Sequence, residues 1–270
     1  MVAEKGTKLL LVGCGKMGGA MLEGWLARGL TVADAIVAEP VEALRPNKAG
    51  LRSVASTQEV RETPEIVVLA VKPQSMDAVL PDLKRFAEAG AVFLSIAAGK
   101  TLAYFASHLG MSAKVVRSMP NTPAAVRQGI TVACASSGVS AAEKKRCQEL
   151  LEAVGQALWV DDEALLDPVT ALSGSGPAYV FLLVEAMATA GARLGLTPEM
   201  AMQLARATVA GSGELLRQSS EPASQLRVNV TSPGGTTAEA LKVLMAADGI
   251  QPVFDKALAA ASRRSKELAG

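Results

Sequence analysis

The feature that most constrains this chain is the triplet Gly13-x-Gly15-x-x-Gly18, set between a short apolar run and a helical stretch. Lys8–Val12 reads as a strand and Gly19–Arg28 as a helix. In that setting each glycine has its own task. The first makes the tight turn off the strand, the second lets backbone approach a pyrophosphate, and the third packs helix on strand. The helix end adds free N–H donors and a positive dipole end for phosphates. Lys16 and Met17 lie between the glycines at that end and join Gly13, Gly15 and Gly18 as cofactor-binding candidates. The plain alternative is a glycine-rich turn that binds nothing.

Further apolar runs follow at Ala35–Ala38, Ile66–Val71, Val92–Ile96 and Lys114–Arg117, with helical stretches near Ser75–Phe86 and Thr101–Leu109 between them. Such alternation predicts a doubly wound, mostly parallel sheet with helices on both faces, an α/β N-terminal Rossmann domain. Ile130–Cys134 and Gln156–Val160 are later strand candidates flanking a polar helix, Ala141–Leu151, capped by Ser140. After Asp161 strand signals stop. Pro177–Leu194, Pro198–Arg217, Thr236–Ala246 and Val253–Leu268 read as helices, so the expected division is residues 1–162 and an all-α domain over 163–270. The segment Pro177–Gly195 is apolar almost all round. A helix hydrophobic on every face needs cover on every face, which predicts a partner subunit and an oligomer.

In an open parallel sheet ligands sit off the carboxyl ends of the strands. Glu39 ends the second strand, and an acid there binds the ribose 2′-hydroxyl of NAD and repels the 2′-phosphate of NADP; otherwise it is a solvated loop carboxylate. Arg45 and Lys48 lie just beyond and would suit a phosphate instead. Ala70-Val71-Lys72-Pro73-Gln74 ends the third long run; Pro73 pins the loop, and Lys72 either reaches the cofactor or an anionic substrate or is a surface lysine. Ala97, in Ile96-Ala97-Ala98-Gly99, is small enough for a nicotinamide to lie against backbone. Asn121 either hydrogen-bonds the cofactor amide or caps its turn.

Composition narrows the classes. With 27 basic and 26 acidic residues the net charge is only +1, and aromatics are 3%. Neither nucleic acid nor an anionic membrane finds a complementary surface. Cys14, Cys134 and Cys147 are scattered and His108 is the lone histidine, so neither a metal site nor a disulfide framework is expected. The cysteines read as small buried hydrophobes. Met1–Thr7 has no signal-peptide character and no long apolar run is free of charge, which predicts a cytoplasmic chain without a membrane span.

Two motifs stand out in the helical half: Leu172–Tyr179, and Asn229-Val230-Thr231-Ser232-Pro233-Gly234-Gly235-Thr236-Thr237. Gly-Gly-Thr-Thr at a helix start exposes several backbone N–H groups beside hydroxyls, an anion receptor without a charged side chain. The alternative is an ordinary helix cap in which Ser232 or Thr236 satisfies those groups.

The run Arg227–Leu244, centred on Ser-Pro-Gly-Gly-Thr-Thr, resembles the signature of pyrroline-5-carboxylate reductases. The glycine triplet, Ala70–Gln74, Met119–Ala124 and Leu172–Tyr179 occur in that family's order and spacing, so the likeness covers roughly Lys8 to Ala260. It implies hydride transfer from NAD(P)H to C5 of the cyclic imine 1-pyrroline-5-carboxylate, giving L-proline. It implies intertwined homodimers, commonly in larger rings such as decamers, with the active site formed where a helical domain meets a partner's Rossmann cleft. Carried over, Gly235, Thr236 and Thr237 backbone holds the carboxylate, Thr237 hydrogen-bonds the ring nitrogen as the catalytic residue, and Ser232 and Asn229 line the pocket. The implied cofactor is NADPH. Glu39 departs from the small hydroxyl or basic residues expected in NADPH-using members and leaves NADH open.

A cyclic imine is easily protonated and then accepts hydride readily, so alignment is the main task. His108, near a helix C-terminus, suits a capping role better than a catalytic one. A β-hydroxyacid dehydrogenase has a similar layout, but its proton-transferring lysine and asparagine would fall on Val180 and Val184, which transfer no proton. A non-catalytic dinucleotide-binding regulator is the remaining rival; it would have no use for the Ser-Pro-Gly-Gly-Thr-Thr pocket.

Overall fold

The computed structural model describes residues 9–269; the expectation about Met1–Thr7 lies outside them. One sheet organises the first part of the chain. Its strands are β1 (Leu9–Val12), β2 (Ala35–Ala38), β3 (Arg52–Val54), β4 (Ile66–Leu69), β5 (Val92–Ser95), β6 (Lys114–Met119), β7 (Gly129–Ala135) and β8 (Gly155–Trp159). They lie in the order β3-β2-β1-β4-β5-β6-β7-β8. Pairing is parallel from β3 to β6, antiparallel between β6 and β7, and parallel again to β8. This is the expected doubly wound, mostly parallel α/β arrangement.

The strands read as continuous apolar runs because both faces are covered. Leu9 and Leu11 of β1 enter one core layer, with Met21, Leu22 and Trp25 of α1 (Lys16–Ala27) and Cys147, Leu150 and Leu151 of α4 (Ala141–Glu152). Leu10 and Val12 face the other way, onto Met76, Leu80, Leu83 and Phe86 of α2 (Met76–Glu88) and Phe105 of α3 (Leu102–Leu109). The first layer is pinned by one polar contact: Trp25 Nε1 donates to the Leu150 carbonyl at 2.8 Å, tying α1 to α4. All three cysteines are free and buried. Burial above all pushes the Cys147 thiol up to about 12.

By contacts the chain forms two compact units. One runs to Gly174 and takes in the chain again from Ala261; the other is Ser175–Ala260. The sequence reading puts its division after residue 162. The stretch between contains α5 (Leu166–Val169) and a π-helical turn, Thr170–Gly174. Ser265, in the last turns of α10 (Ile250–Ala269), donates to Asp167 Oδ1 at 2.7 Å within the first unit.

The second unit holds α6 (Gly176–Arg193), α7 (Pro198–Gln218), α8 (Ala223–Asn229), α9 (Thr236–Leu244) and the first turns of α10. Thr197 caps α7 by accepting the Met200 N–H, with Pro198 in the first turn as expected. Ala188 of α6 and Ala201 and Ala205 of α7 form a core of small side chains. A Cβ on Gly191 would stand 3.4 Å from that of Ala201, so a small residue suits the close approach of the two helices. Ala188 is the one buried residue of α6, while Phe181 and Leu182 are 62% and 63% exposed. The all-round apolar helix therefore lacks cover within a single chain. Glu163–Arg193 is also long and apolar enough to cross a membrane by length and composition. The expectation of no such run counted interruptions by charge, and here Asp167 and Glu185 supply them.

Candidate functional site

Between β1 and β4 the strand order reverses: the chain runs outward through β2 and β3, then returns to β1's other side. Ligand crevices open at such switch points. A cleft of about 490 Å³ lies there, bordered by Gly13, Gly15, Glu39, Ser56, Ala70 and Lys72 among others.

The glycines show what the cleft is built to hold. Gly13 follows β1 directly, with φ +91°, and its N–H donates to the Ala38 carbonyl at 2.9 Å. A Cβ there would strike the Ala70 backbone at 2.9 Å, and one on Gly18 would strike the Gly13 carbonyl oxygen at 2.4 Å. Gly15 differs. It is the N-cap of α1 and a Cβ on it meets no atom of another described residue within 4 Å. Two glycines thus make the turn possible, and the third leaves open space in front of a helix end that no side chain caps. That is a cradle for phosphate groups, and a dinucleotide fits it. Lys16 is exposed in the first turn of α1, and Met17 is half-buried against the first core layer.

Glu39 is not a solvated loop carboxylate. It is buried, 5% exposed, and both oxygens accept backbone N–H groups: Oε2 from Cys14 at 2.7 Å, Oε1 from Val41 at 2.9 Å. Burial first, and then the Glu39 charge, push the Cys14 thiol up, so it remains a neutral hydrophobe inside the turn. Arg45 donates Nε to the Glu39 carbonyl at 2.7 Å and Nη2 to that of Pro40 at 3.1 Å.

The other candidates of the first unit occupy strand ends. Ala70 follows β4, and its N–H donates to the Val12 carbonyl at 2.8 Å. Lys72 is exposed on the cleft's rim, and Pro73 opens a 3₁₀ turn, Pro73–Ser75. Ala97, two residues past β5, is buried. Asn121 follows β6, but its Oδ1 accepts the Ile130 N–H at 2.9 Å, so its carbonyl braces the start of β7. His108 is half-buried on α3, with Nδ1 2.9 Å from the Tyr104 carbonyl and Nε2 3.5 Å from Asp77.

One wall of the cleft, Ser56 and Thr57 beyond β3, escapes the sequence reading. A legible signal was there: Ser56-Thr57-Gln58-Glu59 is a capping box. Ser56 Oγ accepts the Gln58 N–H at 3.2 Å, and Glu59 Oε1 accepts the Ser56 N–H at 2.9 Å.

In the second unit, Ser232-Pro233-Gly234-Gly235 turns into α9. Gly234 sits at φ +68°, and the Gly235 N–H donates to the Ser232 carbonyl at 3.0 Å. Gly235 is the N-cap and no side chain caps the helix. Among the described residues, no hydrogen bond to the Ser232 or Thr236 side chain closes that end. The N–H groups of Thr236 and Thr237 belong to the first turn, where a helix has no internal partners for its donors. Thr236 is exposed and Thr237 half-buried. Asn229, the last residue of α8, donates Nδ2 to Glu221 at 3.0 Å and accepts from Gln225 at 2.8 Å, so its amide braces the approach to the turn.

Comparison with known proteins gives this arrangement a family. Residues 163–268 match the family described as Pyrroline-5-carboxylate reductase dimerisation, and residues 8–99 the one described as NADP oxidoreductase coenzyme F420-dependent. The pyrroline-5-carboxylate reductase of Pseudomonas aeruginosa is 42% identical over 265 residues, 97% of each chain. A pyrroline-5-carboxylate reductase structure from Coxiella burnetii superimposes with a TM-score of 0.93 at 35% identity, covering 98% of this chain and 100% of that one. The Plasmodium falciparum pyrroline carboxylate reductase, solved with NADP bound, gives 0.84 at 30% identity over 99% and 100%. The dimerisation match also supports homo-oligomerisation, and α6 lies within it. A Rossmann unit with a phosphate cradle, a helical unit that dimerises and a relative 42% identical over nearly the whole chain lead to one statement: this chain belongs to the pyrroline-5-carboxylate reductase family.

Proposed function

We propose that this chain reduces 1-pyrroline-5-carboxylate to L-proline, the final step of proline biosynthesis, as an NAD(P)H-dependent oxidoreductase acting on a C=N bond. The observation that carries the reading is the family likeness over 97% of the chain, joined to an uncapped Gly-Gly-Thr-Thr helix start. NADP is the cofactor that the comparisons support.

A bound dinucleotide supplies the hydride that C5 receives. The chain's own residues do the rest by holding and orienting. On a turn that Gly13 and Gly18 make possible, Gly15, Lys16 and Met17 present backbone donors and space to the pyrophosphate. Ala70, Lys72, Pro73, Ala97 and Asn121 border its path along the strand ends. The backbone at Gly235, Thr236 and Thr237 forms the seat of the substrate carboxylate: the Gly235 N–H is taken by the Ser232 carbonyl, so the Thr236 and Thr237 N–H groups donate, and the positive end of α9 favours the charge. The Thr237 hydroxyl hydrogen-bonds the ring nitrogen and fixes the ring's orientation, with Ser232 and Asn229 beside it. Orientation of this kind is worth about 7–11 kcal/mol of a barrier, enough for an electrophile as ready as a protonated imine. The working form is a homodimer assembled into a larger ring such as a decamer, in the cytoplasm, with neither nucleic acid nor membrane as partner.

The test is loss of reduced-nicotinamide absorbance on adding pyrroline-5-carboxylate, with NADPH and NADH in parallel. Imine-dependent oxidation with formation of proline supports the reading. A folded protein that binds dinucleotide and turns over no imine would instead be a dinucleotide-binding regulator.

A further inference from the structure

We infer that Glu39 sets the choice of dinucleotide in this chain and favours NADH over NADPH, an inference that rests on the reductase reading above. The residue lies one position past β2, where the adenosine ribose of a dinucleotide in a Rossmann crevice comes to rest. Two backbone N–H groups, those of Cys14 and Val41, grip its two oxygens at 2.7 and 2.9 Å. Glu39 is 5% exposed and borders the same cleft as Gly13 and Gly15. A carboxylate fixed in this way cannot swing aside without leaving the Cys14 and Val41 donors unmatched.

Each oxygen retains acceptor capacity beyond the single bond it makes. A ribose 2′-hydroxyl can donate to that capacity; a 2′-phosphate cannot, and brings negative charge against negative charge in a partly desolvated place. The nearest basic side chain in sequence does not offset this. Arg45 is held by the Glu39 and Pro40 carbonyls at 2.7 and 3.1 Å, which fastens it to the backbone of the strand end. Lys48 is exposed, and Lys72 stands on the rim formed by the loop after β4.

Calorimetric titration of the full-length protein with NAD⁺ and with NADP⁺, no imine present, reads the inference directly. Binding of NAD⁺ tighter by about tenfold is expected, the scale of one lost hydrogen bond together with a like-charge contact. Glu39→Gln keeps the side chain's size and removes its charge; the preference is expected to shrink about tenfold. Arg45→Ala is expected to leave the preference within about twofold. NADP⁺ binding as tightly as NAD⁺ to the unaltered protein overturns the inference, as does an unchanged preference in Glu39→Gln or a selective loss of NADP⁺ binding in Arg45→Ala. The unaltered protein alone decides the matter if Glu39→Gln fails to fold. Imine-dependent oxidation is followed separately: its absence with both cofactors removes the reductase reading, while the ratio of the two affinities still judges Glu39.

Discussion

Glu163 Oε1 lies 2.8 Å from Arg117 Nη1 and accepts the Leu102 N–H at the same distance. One carboxylate thus neutralises a guanidinium on β6 and closes an open donor at the start of α3, whose Tyr104 N–H is already taken by Thr101. The Arg117 side chain is 7% exposed and that of Glu163 27%. Removing the acid leaves a buried cation unpaired. Glu163→Gln is expected to lower unfolding stability by about 1–3 kcal/mol, the range for a buried partner left unmatched. Urea denaturation followed by circular dichroism measures it.

Gly15 and Gly18 separate the turn's two requirements. A methyl group on Gly15 meets no atom of another described residue within 4 Å, whereas one on Gly18 meets the Gly13 oxygen at 2.4 Å. Gly15→Ala is expected to keep the melting temperature and weaken dinucleotide binding at least about tenfold, by occupying the ligand's space. Gly18→Ala is expected to lose both, since backbone must shift. Thermal melts with and without NADP⁺ distinguish the two.

Thr237→Ala removes a hydroxyl beside the uncapped end of α9 and leaves the backbone donors in place. Losing one neutral hydrogen bond costs around 1 kcal/mol, so kcat/KM for pyrroline-5-carboxylate is expected to fall roughly fivefold. Dinucleotide affinity should stay within about twofold, because the residue lies outside the Rossmann unit. Unchanged turnover would remove Thr237 from the mechanism.

Phe181 and Leu182 are more than half exposed in the single chain, on a helix inside the dimerisation match. A charge at either site would have to be buried unpaired on association, at a cost of several kcal/mol. Phe181→Asp and Leu182→Glu are expected to give monomers by light scattering at micromolar concentration.

Acid should loosen the α4 start. Burial pushes the Glu143 carboxyl up, but the Lys114 ammonium at 2.7 Å and two hydrogen bonds from Ser140 outweigh it and hold the group below its ordinary 4.5. A carboxyl lowered in the folded state contributes stability above its unfolded value, and that contribution fades as pH falls through the folded one. Urea midpoints taken from neutral pH down to about pH 3 should therefore fall less steeply in Glu143→Gln than in the unaltered chain.

The strands buried on both faces were legible because burial leaves apolar runs, and Ala35–Ala38 falls on its observed bounds. The edge strand β3 was not. Arg52-Ser53-Val54 is three residues long with an arginine that pairs with Glu62 at 2.6 Å, so it carries no apolar signature. The polar helix α8 was missed for a similar reason: none of its residues is buried and no periodic stripe marks it. The last helix, expected from Val253, begins at Ile250 and takes in Pro252, since proline is tolerated in a first turn. At the site, the glycine cradle is local and could be read. The grip of Cys14 on Glu39 depends on β1 lying beside β2 with Val12 opposite Ala38, a register no local pattern announces.

The contact from Trp25 to the Leu150 carbonyl has a consequence at the opposite end of α1. A helix clamped at its last turns against α4, and seated at its first turn by Gly18 on the Gly13 backbone, has little freedom to slide or tilt. Its open N–H groups hold their aim before any nucleotide arrives. An incoming pyrophosphate then loses its own mobility but does not have to still the receptor as well. Loosening the clamp, by Trp25→Phe for example, would show as a weaker and more entropically opposed association at a crevice the indole never touches.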